Sequence, residues 1–407
     1  MSQKVFKMEL RPEDQLILSV IKLHPSPVEM EQINGLIPLV KDWDYLINTI
    51  INRGIGPLLY KKTALLTNST QIPKVVKTKL QQVYYKTFSR STLLYEHFRK
   101  IAEAFTSQNI PVIALKGVYL SEWLYEDIGL RQFSDIDLLV KEEDSATCLA
   151  ILGKIGYKVS TSKDYLSKFV LSHFEKDIVH FSPMIKDGVS IEIHIKLHSK
   201  NQSYNVLIPK LWTNAIQATV NGVPIQALND SDLLIHLCLH LDKHFRGGHV
   251  QFTCFNDITN LLEKYANTMD WESLTEACRF YRCEEIVYLY IVMIHNYMHA
   301  TVPIAIIDKY GYLLTQKDEQ LFCKYLKGNV GNDSNVMLSG HFEYMKNTQN
   351  LSEKIRYIRD VLFPSKSFML SRYQIKYPSL VMFYYPYRCY IGIRGVVNHL
   401  KKLVVNS

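Results

Sequence analysis

What the chain lacks narrows it first. Its seven cysteines are an odd number and none form a Cys-x-x-Cys pair, which argues against a disulfide framework and a zinc ribbon. Cys148, Cys238, Cys254, Cys278, Cys283, Cys323 and Cys389 stand singly, mostly among apolar neighbours. They read as buried thiols of a reducing compartment, and we expect a cytoplasmic protein. No apolar run suits a membrane span. Leu16–Leu23 is short and broken by Lys22, and Leu380–Val397 is interrupted by Pro386, Arg388 and Arg394. Met1–Pro12 is polar and charged, unlike a signal peptide. No internal repeat or low-complexity tract is present.

One further absence is local. After Asp360 there is no acidic residue, while Lys366, Arg372, Lys376, Arg388, Arg394, Lys401 and Lys402 lie among Phe and Tyr. Almost all of the net charge of +8 therefore sits in this tail. Such a segment could hold phosphates or nucleic acid. Without a recognised nucleic-acid module, the favoured reading is a helical tail whose aromatics pack inward and whose charges are solvated.

The 407 residues are 47% hydrophobic and 21% charged, a globular composition with room for two or three cores. Four regions follow from the patterning. Residues 1–109 are helical, with apolar residues at helical spacing over Leu36–Ile51 and Val75–Phe105. Residues 110–200 switch to short apolar runs, and we expect strands at Ile110–Leu115, Asp135–Val140, Tyr157–Ser160, Asp177–Phe181 and Val189–Leu197. Helices are expected at Val118–Asp127 and Ser145–Ile155, and a hairpin turn at Lys186-Asp187-Gly188. After Pro209 the pattern is helical again, with Ser231–His244 and Asp257–Tyr265 clearest, making 201–270 a helical region that closes the site. Residues 271–407 form a C-terminal helical region ending in the basic tail, broken at Pro303, at a polar loop over Gly328–Asn335 and at Pro364. The expected fold class is α/β (α+β): a small mixed sheet flanked by large helical regions.

The chemistry concentrates in Ser134-Asp135-Ile136-Asp137-Leu138-Leu139-Val140. Strand alternation points Asp135 and Asp137 one way and Ile136 and Leu138 into the core. Adjacent carboxylates repel, and a divalent cation is the usual remedy. In Val189-Ser190-Ile191-Glu192-Ile193-His194-Ile195, Glu192 and His194 share a face. If that strand lies beside the first, three acids converge on a site suited to in-line displacement at phosphorus. A strand-turn-helix, Ile113-Ala114-Leu115-Lys116-Gly117-Val118, precedes them and could turn its N–H groups toward phosphate.

These motifs resemble the DNA polymerase β-type nucleotidyltransferase superfamily, and more narrowly the bacterial "uncharacterised nucleotidyltransferase" family. The residues that carry the likeness are Ile110-Pro111-Val112-Ile113-Ala114-Leu115-Lys116-Gly117, Gly129-Leu130-Arg131-Gln132-Phe133-Ser134-Asp135-Ile136-Asp137, and Ile191-Glu192-Ile193-His194. It continues through Leu233–His244, Asp257 and Leu362-Phe363-Pro364-Ser365, nearly the whole chain. The resemblance implies a metal triad of Asp135, Asp137 and Glu192 holding Mg²⁺ or Mn²⁺, two ions in all, with Glu192 also the base for the attacking hydroxyl. It implies an NTP-type donor, and acceptors such as peptides or saccharides, as in natural-product or surface-polysaccharide tailoring. Two departures stand out. The turn reads Lys116-Gly117-Val118 where the superfamily has Gly-Ser or Gly-Gly, and the third acid is Glu where Asp is usual.

Secondary candidates surround the acids. Arg131 could clamp phosphate or pair with Glu126 or Asp127, and Ser134 could bond phosphate or its own backbone. His194 could support Glu192 or touch the acceptor. His236, His240 and His244 line one helix face. Three successive turns spread them too far for one zinc, so packing is the leading reading, with His240 and His244 as possible substrate contacts. The rival functions are an Asp-x-Asp glycosyltransferase using a nucleotide sugar, and an inactive nucleotide-binding subunit.

Overall fold

In the computed structural model the described residues are 10–159, 179–198, 204–247, 250–327 and 378–405, with single positions between 354 and 373. Local chemistry sets the first helices, α1 (Pro12–Ser19), α2 (Pro27–Leu36), α3 (Trp43–Asn52), α4 (Gly56–Thr63) and α5 (Lys74–Thr106). Ser26 and Glu29 close a reciprocal capping box on α2, and the Asp42 side chain caps α3. In the 33-residue α5, Leu80, Leu94, Phe98, Ile101 and Phe105 form the buried stripe that rests on the core.

The sheet carries the site. Its strands are β1 (Ile113–Leu115), β2 (Asp135–Leu139), β3 (Lys158–Val159), β4 (Met184–Lys186), β5 (Val189–His194), β6 (Ile216–Val220) and β7 (Val223–Ala227). Their spatial order is β3-β4-β5-β2-β1-β7-β6. β2 runs parallel to β5 and β1 parallel to β7, and the other neighbours are antiparallel. Helix α6 (Lys116–Trp123) leaves β1 directly, and α7 (Ser145–Lys154) follows β2. The apolar residues of the central strands, among them Ile136, Leu138, Ile191 and Ile193, are fully buried, as alternation requires.

Two hairpins order the edges. Asp187 and Gly188 have φ of 51° and 73°, and Asn221 and Gly222 have 47° and 75°. Positive φ at both central residues matches the twist of paired strands and favours Asn, Asp and Gly. The second hairpin corrects the expectation of helix after Pro209. Residues 216–227 are β6 and β7, which extend the sheet beyond 110–200. The expected strand at Asp177–Phe181 begins outside the described residues, and within them His180 makes only an isolated bridge to His194.

The remaining helices are α8 (Ile208–Asn214), α9 (Asp230–Gly247), α10 (Thr253–Lys264), α11 (Trp271–Phe280), α12 (Glu284–Met298), α13 (Ile304–Tyr310), α14 (Gln316–Leu326) and α15 (Val381–Val405). One apolar core joins residues from α1 through α14. A separate small cluster holds Met369 and Val381 with Tyr373, Tyr384 and Tyr385. On α15 the inward-packing expectation holds for Tyr384 and Tyr385 but not for Phe383, Tyr387 and Tyr390, which are exposed together with Met382 and Ile393. The expected loop at 328–335 and Pro364 lie outside the described residues. All seven cysteines are free and five are buried. Among the described residues no helix is long and apolar enough to cross a membrane.

Candidate active site

The register of two parallel strands builds the centre. Asp137 on β2 is the direct partner of Glu192 on β5, and Asp135 stands opposite Ser190. His194, two residues past Glu192, turns to the same face. Its Nε2 lies 3.0 Å from Asp137 Oδ1 and 3.8 Å from Glu192 Oε2. In this contact Nε2 carries the proton, because an ionised carboxylate only accepts. One ligand atom each from Asp137, Glu192 and His194 lies within 4.8 Å of the others, a grouping that could hold a cation. Asp135 shares the face but lies outside that grouping, and Ser134 Oγ is 3.4 Å from its Oδ1.

Lys116 supplies the local countercharge. It sits where β1 passes into α6, with φ of 44°, unusual for a residue bearing a side chain. Its Nζ is 3.3 Å from Asp137 Oδ2. Burial alone would lower the Lys116 pKa, but the charges of Asp137 and Asp135 outweigh it and raise it. Burial works against the Asp137 carboxylate too, yet Lys116 and His194 hold it well below its ordinary value. Asp135 moves the other way. Burial, then the charges of Asp137 and Glu192, push it up. Lys116 and the His194 hydrogen bond thus stabilise one carboxylate of the pair and leave the other short of compensation.

Packing gives Gly117 a reason of its own to be glycine. A Cβ there would meet the Phe133 ring at 2.7 Å. The close approach is made by the loop that leads into β2. Arg131, in that same loop, is buried against α10. Its Nε and Nη2 donate to the two oxygens of Asp257 at 2.8 and 2.7 Å, so its acidic partner is neither Glu126 nor Asp127. Tyr125 OH donates to the same carboxylate at 2.9 Å. Ser134 remains exposed at the head of β2.

Sequence reasoning missed two contributors. From α5, Arg90 Nη2 donates to the carbonyls of Ser134 at 3.1 Å and Gly188 at 2.9 Å, tying the start of β2 to the turn before β5. No local signal marks it, since Arg90 occupies an ordinary polar position of an amphipathic helix. His180 Nδ1 lies 3.6 Å from Glu192 Oε2, and its ring packs 5.1 Å from that of His194. Burial first, then His194, lower His180 to about 4.

Helix α9 lays its histidines along the same side. The His198 and His236 rings are 5.7 Å apart, His236 and His240 6.1 Å, and His240 and His244 4.4 Å. Burial holds His236 and His240 neutral, with the charge of Lys116 the next cause for each. His198 is lowered to about 3 by burial, then by Lys243 and Lys116. Both nitrogens of His236, His198 Nε2 and His194 Nδ1 are buried without a hydrogen-bond partner among the described residues. Buried imidazoles left so are expensive unless a ligand or water meets them.

The mixed sheet thus presents paired acids beside a strand-turn-helix, with a third acid on the parallel neighbour. The family model described as "Uncharacterised nucleotidyltransferase" matches residues 40–299, and the chain belongs to that family. The match is shorter than the near-complete span suggested by the motifs, and α15 lies beyond it. Among solved structures, the solution structure of the antibiotic-resistance factor ANT(2'')-Ia is similar at 14% identity. The match covers 51% of this chain and 99% of that one, with a TM-score of 0.34. No curated protein matches the sequence.

Proposed function

We propose that the protein moves a nucleotidyl group from an NTP-type donor to an acceptor hydroxyl or phosphate at a divalent-cation centre. The observation that carries this reading is the cross-strand pairing of Asp137 with Glu192, completed by His194. Two carboxylates and an imidazole fit Mg²⁺ through oxygen and Mn²⁺ through both donor types. Asp135 is the remaining acid of the face, and we assign it to a second ion. A bound ion supplies charge neutralisation for the triphosphate and for the oxygens developing charge at the α-phosphorus.

The chain's own groups do the rest. Lys116 and the first N–H groups of α6 face the donor phosphates, with Gly117 allowing the close Phe133 packing that fixes this turn. Ser134 is available at the mouth. Arg131, engaged with Asp257, we assign to positioning the loop rather than to binding phosphate. In the transfer, the acceptor oxygen bonds to the α-phosphorus, the bond to the pyrophosphate oxygen breaks, and the hydroxyl proton passes to Glu192. The neutral imidazoles of His198, His236 and His240, each both donor and acceptor, suit a hydroxyl-rich acceptor such as a saccharide or a hydroxylated peptide. Family membership favours nucleotidyl over glycosyl transfer. The test is a screen of the four NTPs and common nucleotide sugars with Mg²⁺ or Mn²⁺. Pyrophosphate release supports the proposal, and nucleoside diphosphate release from a nucleotide sugar overturns it.

A further inference from the structure

Helix α15 has two unlike faces. Val381, Tyr384 and Tyr385 turn toward Met369 and Tyr373, and these five make the small satellite cluster. On the other side Met382 is 69% exposed, Phe383 74%, Tyr387 51%, Tyr390 60% and Ile393 63%. At 100° per residue those five positions fall within an arc of about 140°. Leu380, just before the helix, is exposed at its border. Isolated exposed apolar residues need no explanation, but a continuous stripe of large ones on one helix does.

The charges beside this stripe are of one sign. Arg394 is exposed within the arc, and Arg388 sits on the opposite, half-covered side. Lys401 and Lys402 follow in the same helix, and no acid occurs anywhere after Asp360. An aromatic and aliphatic face combined with basic residues, on a helix too interrupted by Pro386 and Arg to span, fits the boundary between lipid headgroups and acyl chains. Nucleic acid would accept the charge and stack on the aromatics, but it has no use for Met382 and Ile393. A protein partner would explain the apolar stripe and leave unexplained the complete lack of acids.

We propose that α15 is an interfacial helix that holds this protein on an anionic bilayer surface, with Met382, Phe383, Tyr387, Tyr390 and Ile393 inserted and Arg394 engaging lipid phosphates. The proposal is independent of the chemistry at Asp137 and Glu192, which lie on the sheet.

Co-sedimentation of the full-length protein with vesicles tests it. Vesicles of phosphatidylglycerol mixed with phosphatidylcholine should pellet the protein, vesicles of phosphatidylcholine alone should do so far less, and rising salt should release it. The double variant Phe383→Ser/Ile393→Ser and the charge reversal Arg394→Glu should each weaken binding about tenfold or more, without change in melting temperature, because all three positions are exposed. A Phe383→Trp variant gives a second readout, a blue-shifted and quencher-protected indole on the anionic vesicles. Failure to bind them, or binding untouched by both variants, overturns the proposal. So does concentration-dependent self-association or retention of a DNA or RNA duplex, where either is abolished by the same variants and vesicle binding is absent.

Discussion

Arg131 and Asp257 meet as a doubly bonded ion pair, Nε and Nη2 of one on the two carboxylate oxygens of the other, with 7% and 1% of their side chains exposed. The pair joins the loop that aims Asp135 to helix α10, 126 residues further along the chain. Removing one partner leaves a buried uncompensated charge. Asp257→Ala should therefore cost about 3–5 kcal/mol of unfolding free energy, whereas Arg131→Leu/Asp257→Leu should recover much of that loss. Chemical denaturation of the two variants decides it. A single variant no less stable than wild type would mean that the pair is solvated in solution.

The acids of β2 should respond oppositely to loss of charge. Asp135 is pushed up by burial and by Asp137 and Glu192, so its ionised form is a liability without a cation, and Asp135→Asn should stabilise the EDTA-treated protein by about 1 kcal/mol. Asp137 is held ionised against burial by Lys116 and His194. Asp137→Asn should destabilise by roughly 2–3 kcal/mol, since it strands the Lys116 ammonium. Melting temperatures in EDTA give both signs, and equal signs would refute this charge assignment. Saturating Mn²⁺ should raise the melting temperature of wild type more than that of either variant.

Some of this was open to sequence reasoning and some was not. Asp135 and Asp137 share a face because strand alternation is local, and the Asp187-Gly188 turn is written in its residue types. The Asn221-Gly222 hairpin carries the same signal between two short runs bounded by Val220 and Val223, but the helical patterns around it prevail. The packing of Phe133 on Gly117 depends on how a loop sixteen residues later folds back, which no local signal announces. The pairing of Asp137 with Glu192 required the register of parallel strands separated in sequence by a whole crossover. No periodicity fixes such a register. For the same reason the partner of Arg131 was sought among its neighbours rather than on α10.

The buried histidines set an acid limit on stability. His198 stays neutral down to about 3 in the folded protein, against an unfolded value near 6.5, and His236 and His240 are lowered as well. The unfolded chain therefore binds more protons in this window. Stability contributed by these rings is complete above pH about 6.5 and is lost as pH falls toward the folded value. The Lys116 and Lys243 charges facing His198 act in the same direction as burial. Urea denaturation between pH 7.5 and 4.5 should show this fall. His198→Gln removes one proton from the uptake and should flatten the slope by about 1.4 kcal/mol per pH unit. An unchanged slope would mean that His198 is protonated in the native state.

Glu192 best separates nucleotidyl transfer from its rivals. Gln preserves the shape of the side chain and its place beside Asp137 on the parallel strand, but removes the charge and the ability to take a proton. If Glu192 serves both as ligand and as base, Glu192→Gln should still bind an NTP with Mn²⁺ through Asp137, His194 and Lys116, at reduced affinity. Turnover should fall by about 10²–10⁴-fold, because proton removal and charge stabilisation both act in the transition state. The burden should therefore fall on kcat more than on KM. A glycosyltransferase relying on Asp135 and Asp137 alone would lose far less, and an inactive binding subunit would have no turnover to lose. Calorimetry with the NTP and Mn²⁺, followed by pyrophosphate release under saturating donor, makes the measurement. Full activity in Glu192→Gln would refute the three-acid centre, whereas loss of binding together with loss of folding would make Glu192 a structural partner of His180 and His194.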